Sequence, residues 1–486
     1  MTQQSSQLTF QVQKYTLCGQ PKQYSGVNGF GKGYTCMDTP ILLFNGSWKY
    51  CQHIAIGDEL IGDDGDKRTV VNTSYGYGSI YKISSDRGEP YFVNEDHLLS
   101  VRMQDHNTIF WDNTNKAWRV LWLNKKEKRI VDHIISVEGL SDKATCPHCK
   151  LVMLQRSMRR HYSKQHKDQI YIPPPRKPPT LNGPESPESL YAYNKMLDYC
   201  KTHQEDNTLD ISVKDYLNLT KTTQGRLSGF KGDCINWPYR EIPLDPYVLG
   251  LWLGDGNQRG YSFASYYEQD PQTVDYLIEW GKRNDANITQ STTNKYEFFF
   301  SSIEHYGQSG CAPLKKHLDK YNLTNNKVIP YDYKINDRKT RLSVLAGIID
   351  TDGHVYEDRE GSRVVISQGL LHTDLARDII LLTRSLGFNC SWHYANTQWE
   401  HKGEINKGKC INMNISGKGL EDIPTLIPRK KCGSPLKRNL LNIGSLNVEK
   451  VSDNYYFGFQ LDGNGRFLLA DNTVTHDCNI STYNNF

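Results

Sequence analysis

The feature that most constrains the fold of this chain is a pattern of short strands that stops and later resumes. Residues 36–140 alternate apolar and polar residues in short runs separated by Gly and Asp turn signals such as "GDDGD", which is typical of a compact β-rich unit. The same alternation returns at 446–477. The intervening segment of roughly three hundred residues is far longer than an ordinary loop. We therefore predict one β domain that is split by a large α+β insertion.

The insertion has its own periodic elements. Strand-like runs such as "KYEFFFSS" and "SRVVISQG" alternate with helix-like segments. The predicted helices cover 190–203, 245–255, 271–284, 341–351 and 372–386. The stretch "IPPPRKPPTLNGPESPES" precedes the first helix and predicts a semi-rigid linker, because a Pro-rich segment cannot continue a helix.

Composition excludes some classes of protein. The 486 residues allow about three domains. The sequence has no run of about 18 or more apolar residues, so no membrane span is predicted. The amino terminus lacks the pattern of a signal peptide, so the twelve cysteines favour thiols, metal ligands or nucleophiles over disulfides. The net charge of +4 permits nucleic-acid binding without arguing for it. We expect an intracellular monomer with no membrane partner.

Two cysteines mark the ends of the β segments. Cys36 begins the first, and the second ends in "THDC", which places Cys478 directly after His476 and Asp477. A thiolate is the best side-chain nucleophile toward a carbonyl near neutral pH. Without further evidence, two such cysteines would more commonly be ordinary small side chains buried in the core than nucleophiles.

Three blocks around these cysteines resemble the splicing blocks of inteins. They are "CMDTPILLFNGSWKYCQHIAIGDELIGDDG" (36–65), "YFVNEDHLLSV" (91–101) and "YYFGFQLDGNGRFLLADNTVTHDC" (455–478), and they occur in the intein order. The resemblance implies the horseshoe-shaped β fold called the HINT domain. It also implies autocatalytic splicing that needs no cofactor.

The resemblance assigns a role to each residue of the site. Cys36 would attack the carbonyl of Thr35 to form a thioester, and His97 would destabilise that peptide bond and protonate its amine. Cys478 would then accept the acyl group. His476 would assist cleavage of the downstream junction.

The chain departs from the intein pattern at three positions. Asn94 stands where a Thr is usual, and it can supply a similar hydrogen bond. Gly465 stands where a helper histidine is usual. Asp477 replaces the terminal Asn, whose amide nitrogen normally closes a succinimide, whereas a carboxylate is a weaker nucleophile and would have to close to an anhydride. We therefore predict that release at Asp477 is slow or blocked, whether the residue is an inherited variant, a decayed site or an engineered block.

The insertion contains a repeated motif. "YVLGLWLGDG" (247–256) and "VLAGIIDTDG" (344–353) are apolar, small-residue helices that end in an acid followed by Gly. Gly250 and Gly347 would let the two helices approach closely, so that Asp255 and Asp352 lie side by side as oxygen ligands for Mg²⁺. One such helix could simply be an amphipathic helix with an Asp-Gly stop. Two copies favour a paired site for phosphodiester hydrolysis.

The two motifs resemble those of LAGLIDADG homing endonucleases. The resemblance implies two αββαββα halves that form a pseudo-dimer in one chain and cleave a long, asymmetric double-stranded DNA site in the intein-less host gene. A "K-x-I-P" segment in such proteins carries a catalytic lysine, which makes Lys327 the candidate here. Its partner in the second half would be Lys430 or Lys431.

A third motif lies between the β domain and the insertion. "CPHCKLVMLQRSMRRHYSKQH" has the spacing of a two-Cys, two-His zinc finger. The four predicted Zn²⁺ ligands are Cys146, Cys149, His161 and His166. The finger's helix would present a basic face to DNA, formed by Arg156, Arg159 and Arg160. The alternatives are a purely structural knuckle or no metal site.

Together these motifs predict seven segments. They are an N-extein fragment (1–35), the first part of the HINT domain (36–140), a zinc finger (141–170), the Pro-rich linker (171–189), the endonuclease (190–440), the last part of the HINT domain (441–477) and a C-extein fragment (478–486). The main alternative is a decayed intein that only binds DNA or only cleaves upstream. A hedgehog-like autoprocessing domain is disfavoured, since it would need neither a downstream flank nor a nuclease.

Overall fold

A computed structural model describes residues 35–36, 38–136, 143–169, 187–203, 206–257, 259–304, 312–324, 326–358, 361–401, 404–433 and 441–477. Three predicted segments lie largely outside these ranges. They are the N-extein fragment (residues 1–34 of it), most of the Pro-rich linker, and the C-extein fragment (478–486), which includes Cys478. None of the helices within the described ranges has both the length and the apolar character needed to cross a membrane.

The first twelve strands are β1 (Thr35–Cys36), β2 (Pro40–Leu42), β3 (Trp48–Tyr50), β4 (Glu59–Ile61), β5 (Lys67–Ser84), β6 (Tyr91–Asn94), β7 (Leu98–Met103), β8 (Ile109–Asp112), β9 (Ala117–Asn124), β10 (Arg129–Ser136), β11 (Lys143–Thr145) and β12 (Val152–Leu154). The remaining strands are β13 (Thr208–Ser212), β14 (Leu227–Phe230), β15 (Ser262–Ala264), β16 (Ala286–Gln290), β17 (Glu297–Ser302), β18 (Gly353–Asp358), β19 (Gly361–Gly369), β20 (Asn389–His401), β21 (Glu404–Ser416), β22 (Asn442–Ser445), β23 (Asn447–Leu461), β24 (Arg466–Leu468) and β25 (Val474–His476). The helices are α1 (Gln155–Gln165), α2 (Pro187–Thr202), α3 (Val213–Asn218), α4 (Lys221–Arg226), α5 (Pro246–Asp255), α6 (Pro271–Arg283), α7 (Pro313–Lys320), α8 (Tyr331–Lys334), α9 (Arg338–Asp352) and α10 (Thr373–Ser385).

The two β segments predicted to form one domain share a sheet. Its strand order is β23-β1-β6-β5-β4, and β23 also pairs with β5 over nearly its whole length, from Asn447 opposite Ser84 to Leu461 opposite Val70. This pairing joins residues more than 360 positions apart in sequence (447 − 84 = 363). The predicted β-rich domain, split by a later insertion, is therefore confirmed.

The core of this β domain includes side chains from the inserted segment. Leu42 and Ile61 from the first β segment and Leu468 from the second pack with Phe230 and Trp237, which the sequence places in the insertion. The Trp237 indole N–H also donates a hydrogen bond to the Phe44 carbonyl at 2.5 Å. Burial of these apolar surfaces fixes the insertion's entry segment on the β domain.

Residues 101–210 and 219–228 form a separate compact unit. It contains the sheet β10-β9-β8, against which α2 packs, and the Trp118 indole N–H donates to the Ser189 carbonyl at 2.9 Å. It also contains the hairpin β11–β12 followed by α1. This division was not predicted, because alternation identifies a strand but not the sheet that it joins.

The remainder of the insertion is built on the paired helices α5 and α9. Two antiparallel sheets accompany them, with orders β15-β17-β16 and β18-β19-β21-β20. One continuous apolar core includes Leu249, Trp252, Leu345 and Ile348 from the two helices together with residues of both sheets. The predicted helices at 245–255, 271–284, 341–351 and 372–386 are confirmed by α5, α6, α9 and α10.

Candidate functional site

The predicted upstream junction lies within the central sheet of the β domain. Thr35 pairs with Val93 of β6 on one side and with Phe457 of β23 on the other, and Cys36 pairs with Tyr456. The Thr35–Cys36 peptide bond is therefore held between strands from both β segments. The structure gives this backbone position but does not describe the Cys36 side chain.

His97 lies in the turn that follows β6. The Asn94 side-chain oxygen accepts a hydrogen bond from the His97 amide at 3.1 Å, and this contact fixes the turn that carries His97. The imidazole is 2 % exposed, and its Nε2 lies 2.6 Å from the Thr475 hydroxyl. Its Nδ1 is buried and has no hydrogen-bond partner among the described residues. An unpaired buried nitrogen is costly unless a reacting group uses it.

The charge state of this imidazole follows from its surroundings. Burial, and then the nearby His476, lower the pKa of His97 to about 3. The ring is therefore neutral near pH 7 and carries a single N–H proton.

His476 and Asp477 form the described end of the downstream junction. The His476 Nδ1 lies 3.0 Å from the Asp477 carbonyl oxygen and 2.9 Å from its Oδ1. The other carboxylate oxygen, Oδ2, accepts the Leu461 amide at 2.7 Å, and the Asp477 amide donates to the Gly465 carbonyl at 2.7 Å. Both carboxylate oxygens thus already have partners, and the His476 proton can polarise the carbonyl that a cyclising side chain would attack.

Gly465 has a structural reason to lack a side chain. Its φ of +75° lies in the left-handed region, and a Cβ would come within 2.5 Å of the His476 ring and 2.7 Å of Asp477 Oδ1. The helper histidine usual in inteins therefore has no room in this arrangement. His476 and Asp477 occupy that space instead.

The paired helices bring the two repeated motifs together. A Cβ on Gly250 would lie 2.3 Å from the Val344 carbonyl, and one on Gly347 would lie 2.4 Å from the Tyr247 carbonyl. The two backbones are therefore in direct contact, as the motifs predict. This close approach places the helix ends, and with them Asp255 and Asp352, next to one another.

The two carboxylates influence each other electrostatically. Enclosure by the surrounding protein, and then the charge of Asp352, raise the pKa of Asp255 to about 6. Burial also raises the pKa of Asp352, although the Gln368 amide donates to its Oδ2 at 2.6 Å. Although protein atoms surround Asp255 closely enough to raise this pKa, the residue remains accessible to solvent. Two adjacent acids with raised pKa values suit a shared cation.

Two lysines flank this acidic pair. Lys327 donates to the Gly254 carbonyl at 2.8 Å, and Lys430 donates to the carbonyls of Ile349, Asp350 and Thr351 at 3.0, 2.7 and 2.8 Å. Both lysines lie close enough to Asp255 for their positive charges to offset part of the rise in its pKa. Lys431 is exposed, so the structure places Lys430 rather than Lys431 beside the acids.

Sequence reasoning missed Gln368 as a member of this site. It lies on β19 within "SRVVISQG", where alternation assigns its neighbours to a strand but gives no sign of a polar contact. Asp350 was also missed, although it accepts the Tyr247 hydroxyl at 2.6 Å and the Leu426 amide at 2.7 Å. Only the neighbouring Asp352 could be recognised from the motif.

The four predicted zinc ligands converge in the separate unit. The ligand atoms of Cys146, Cys149, His161 and His166 all lie within 4.8 Å of one another, including Cys149 Sγ to His161 Nε2 at 3.1 Å and Cys146 Sγ to His166 Nε2 at 3.5 Å. A tetrahedral Zn²⁺ with bonds of about 2.3 Å to S and about 2.0 Å to N needs ligand atoms about 3.3–3.8 Å apart. The donor set and spacing therefore fit this ion.

The basic face predicted for DNA contact lies on α1 of the same unit. Arg159 and Arg160 are exposed there, and the structure does not describe the Arg156 side chain.

Two family models match the chain. Residues 36–148 match "Hom_end-associated Hint", and residues 328–425 match "Homing endonuclease". The chain therefore carries a HINT domain of the intein type together with an enzyme domain of the homing endonuclease class. The first match continues to residue 148, beyond the point at which the separate structural unit begins.

Individual relatives match over different shares of the chain. The chain is 22% identical to the catalytic subunit of the V-type proton ATPase of Candida tropicalis, across 90% of this chain and 43% of that protein. It is 21% identical to the homothallic switching endonuclease of Saccharomyces cerevisiae, across 91% of this chain and 79% of that protein. Replicative DNA helicase DnaB of Mycobacterium intracellulare is 29% identical across 32% of this chain and 21% of its own length. The chain thus spans less than half of the ATPase protein.

Among solved structures, the crystal structure of the gp41-1 intein matches 21% of this chain and 87% of its own chain. The sequence identity is 18% and the TM-score is 0.14.

Proposed function

We propose that the chain is an intein that forms a thioester at Cys36, transfers the acyl group to Cys478, and carries a site-specific DNA endonuclease used for homing. The observation that supports the splicing role best is the buried Nδ1 of His97, which has no hydrogen-bond partner within the described part of the chain and belongs to the turn after β6, a strand that pairs with Thr35. In the first step the Cys36 sulfur bonds to the Thr35 carbonyl carbon. His97 takes the Cys36 thiol proton, the bond from that carbon to the Cys36 nitrogen breaks, and His97 protonates the leaving nitrogen.

Release at the downstream junction is the slow step in this proposal. The Asp477 carboxylate must attack its own carbonyl, yet one of its oxygens accepts the Leu461 amide and the other contacts His476. An asparagine in the same place could still accept from Leu461 through its oxygen while its nitrogen is free to close the ring. His476 already lies in position to polarise the carbonyl.

The test compares the parent with Asp477→Asn by intact mass over time. We expect the parent to remain as precursor or to shed residues 1–35 in the presence of a thiol, and the variant to release residues 36–477 and the joined flanks. Asp453→Asn, an exposed acid on β23, is the matched control and should behave as the parent. Complete splicing of the parent would refute the proposed block, and no cleavage in either protein, with or without thiol, would refute the splicing function.

The endonuclease is proposed to be a LAGLIDADG-type pseudo-dimer that uses Mg²⁺ at Asp255 and Asp352. The adjacent acids and the two flanking lysines support this assignment. Bound Mg²⁺ would activate water and stabilise the leaving oxygen. Asp255 and Asp352 would hold the ion, and Lys327 and Lys430 would counter phosphate charge.

The substrate for its test is duplex DNA of the host gene from which codons 36–477 are deleted. With Mg²⁺ the parent should linearise a plasmid that carries this duplex, whereas Asp255→Asn and Asp352→Asn should lose double-strand cleavage. Asp319→Asn, an acid on the surface of α7, is the control and should cut normally. If the parent binds this duplex without cutting it in Mg²⁺, the alternative of a DNA-binding protein that has lost catalysis is favoured.

The Cys146, Cys149, His161 and His166 cluster is proposed as a Zn²⁺ site that folds an accessory DNA-binding knuckle. Elemental analysis of the purified chain should give one zinc per molecule, and Cys149→Ser should lose it. His148→Ala removes a neighbouring imidazole outside the proposed ligand set and should keep the metal. A parent that contains no zinc after purification with Zn²⁺ would refute this site.

A further inference from the structure

The two lysines beside the acidic pair lie on short segments that are neither α-helix nor strand. Lys327 begins "KVIP", directly before α8, and Lys430 ends a 3₁₀ turn within "LIPRK". Each segment contains an Ile-Pro pair, and proline has no N–H of its own to bond. Because a misplacement of about 1 Å can cost about 100-fold in rate, each segment needs a further contact that fixes it.

Asp378 on α10 binds the segment that carries Lys327. Its Oδ2 accepts the Ile329 amide at 2.8 Å, and its Oδ1 forms an ion pair with Lys334 at the end of α8. The contact is enclosed, since the Asp378 side chain is 13 % exposed and Ile329 is 1 % exposed. One carboxylate therefore fixes the backbone two residues after Lys327 and also the helix that follows.

Asp350 on α9 binds the segment that carries Lys430. Its Oδ2 accepts the Leu426 amide at 2.7 Å and the Tyr247 hydroxyl at 2.6 Å, and its Oδ1 lies 3.4 Å from the Ile427 amide nitrogen. The residue is buried, and its carbonyl oxygen also accepts Lys430 Nζ at 2.7 Å. This carboxylate therefore fixes the backbone directly before the turn that ends in Lys430.

The two contacts do the same work from different elements. A buried backbone N–H needs an acceptor, and a charged carboxylate is a stronger one than a neutral group. The first repeated motif has Leu253 where the second has Asp350, so it offers no carboxylate at that position. The segment of Lys327 takes its carboxylate from α10 instead.

We propose, on the basis of the proposed endonuclease function, that Asp378 and Asp350 are positioning residues for DNA cleavage, with Asp378 holding Lys327 and Asp350 holding Lys430 beside the acidic pair. Each carboxylate acts through its own lysine, so its effect depends on that lysine alone. A general loss of stability would instead slow cleavage whichever lysine is present.

The test measures Mg²⁺-dependent cleavage of the plasmid that carries the intein-less duplex, with full-length enzyme in excess. This arrangement gives the cleavage rate and the half-saturating enzyme concentration separately. Asp378→Ala removes the contact, and Asp378→Asn keeps an oxygen that can accept the Ile329 amide. Asp374→Ala is the matched control, because it removes an exposed carboxylate from the same helix. Thermal unfolding establishes that each variant is folded.

The rate at saturating enzyme should carry the effect. We expect Asp378→Ala to slow cleavage about 10- to 100-fold and to change the half-saturating concentration less than about twofold. Asp378→Asn should recover most of this loss. Asp374→Ala should cut as the parent does.

Combination with lysine variants separates positioning from a general structural role. In a Lys327→Met background Asp378→Ala should slow cleavage no further, because the lysine that it holds is already gone, whereas in a Lys430→Met background it should slow cleavage by its full factor. Asp350→Ala should show the reverse pattern. The Asp378 variants keep the test decisive if Asp350→Ala fails to fold.

A second readout needs no cleavage. In the parent the half-buried amine of Lys327 is held on the Gly254 carbonyl, which should slow its reaction with an amine-acylating reagent, measured by peptide mass spectrometry. Asp378→Ala should raise the acylation rate of Lys327 and leave that of Lys430 unchanged.

Two results would overturn the inference: cleavage by Asp378→Ala at the rate of the parent, or equal slowing by Asp378→Ala in the Lys327→Met and Lys430→Met backgrounds. A parent that never cuts the duplex would refute the proposed endonuclease function instead. In that case the acylation rate of Lys327 still decides whether Asp378 holds it.

Discussion

Lys327 and Lys430 occupy corresponding places at the ends of the two paired helices. Lys327 donates to the Gly254 carbonyl at the end of α5, and Lys430 donates to the last carbonyls of α9. A cation at a helix carboxyl end satisfies free carbonyls and opposes the negative end of the helix dipole. In both places it also lies next to the acidic pair, so each lysine has a structural and a proposed catalytic role.

The two roles can be separated by Lys→Met substitutions. Lys327→Met removes one hydrogen bond from a half-buried side chain, and we expect at least about 100-fold slower DNA cleavage with a small loss of stability. Lys430→Met leaves three carbonyls without their donor and should reduce cleavage and also cost about 2 kcal/mol or more of stability. Cleavage assays and urea unfolding measure the two effects.

Lys431→Met is the matched control for these lysines, since Lys431 is exposed one position further on. It should change neither cleavage nor unfolding. Loss of activity in Lys431→Met, with activity retained in Lys430→Met, would reverse the assignment of the second lysine.

Gly347→Ala tests the close approach of the paired helices. The added Cβ would lie 2.4 Å from the Tyr247 carbonyl and 2.6 Å from the Leu251 amide nitrogen, so the helices must separate. We expect a destabilisation of about 1–3 kcal/mol and loss of DNA cleavage, because the acids at the helix ends move apart. Thermal unfolding and plasmid cleavage are the measurements.

Gly225→Ala provides the control, because it adds the same methyl group to α4, where nothing lies within 4 Å. In that exposed helical position alanine should be neutral or stabilising by up to about 1 kcal/mol. If Gly347→Ala proved as harmless as Gly225→Ala, the backbones of α5 and α9 could not be in direct contact.

Gly465 allows a test of why the usual helper histidine is absent. Gly465→Ala combines a left-handed φ with a Cβ only 2.5 Å from the His476 ring, whereas Gly57→Ala has the same kind of φ with open space around it. We expect Gly57→Ala to cost about 1 kcal/mol and Gly465→Ala clearly more, since only the second adds a collision to the backbone strain. Unfolding midpoints compare them directly.

The same substitution should also affect chemistry. In an Asp477→Asn background, Gly465→Ala displaces His476 from the carbonyl that it polarises, so we expect slower downstream cleavage, followed by intact mass. Unimpaired cleavage would mean that the position of His476 beside Gly465 does not matter for release.

The sequence predicted those parts of the molecule that are carried by local pattern or by motif. Alternation found the β segments, and the two Gly-containing helices predicted the contact of Gly250 and Gly347. The hydrophobic pattern of the sequence could not show that Phe230 and Trp237 complete the core of the β domain, because both are ordinary apolar residues in the segment predicted to be the insertion. Nor could it find Thr475 or Gln368, whose roles arise only from side chains that are distant in sequence.

The depressed pKa of His97 predicts a pH dependence of stability. An unfolded histidine has a pKa near 6.5, whereas burial and His476 hold that of His97 at about 3 in the folded chain. Because the folded pKa is lower, the unfolded state binds the proton first as the pH falls. The contribution of His97 to stability is therefore complete above about pH 6.5 and is lost progressively between pH 6.5 and pH 3.

His97→Gln removes this titration and keeps a polar side chain of comparable length. Linkage gives a loss of about 1.4 kcal/mol per pH unit below 6.5 for one such group, so at pH 5 the parent should have lost about 2 kcal/mol more than the variant, relative to pH 7.5. Urea unfolding of parent and variant at several pH values measures the difference. Parallel pH profiles for parent and variant would show that His97 has the same pKa in the folded and unfolded chains. The proposal that a buried, neutral His97 serves the Thr35–Cys36 bond would then be wrong.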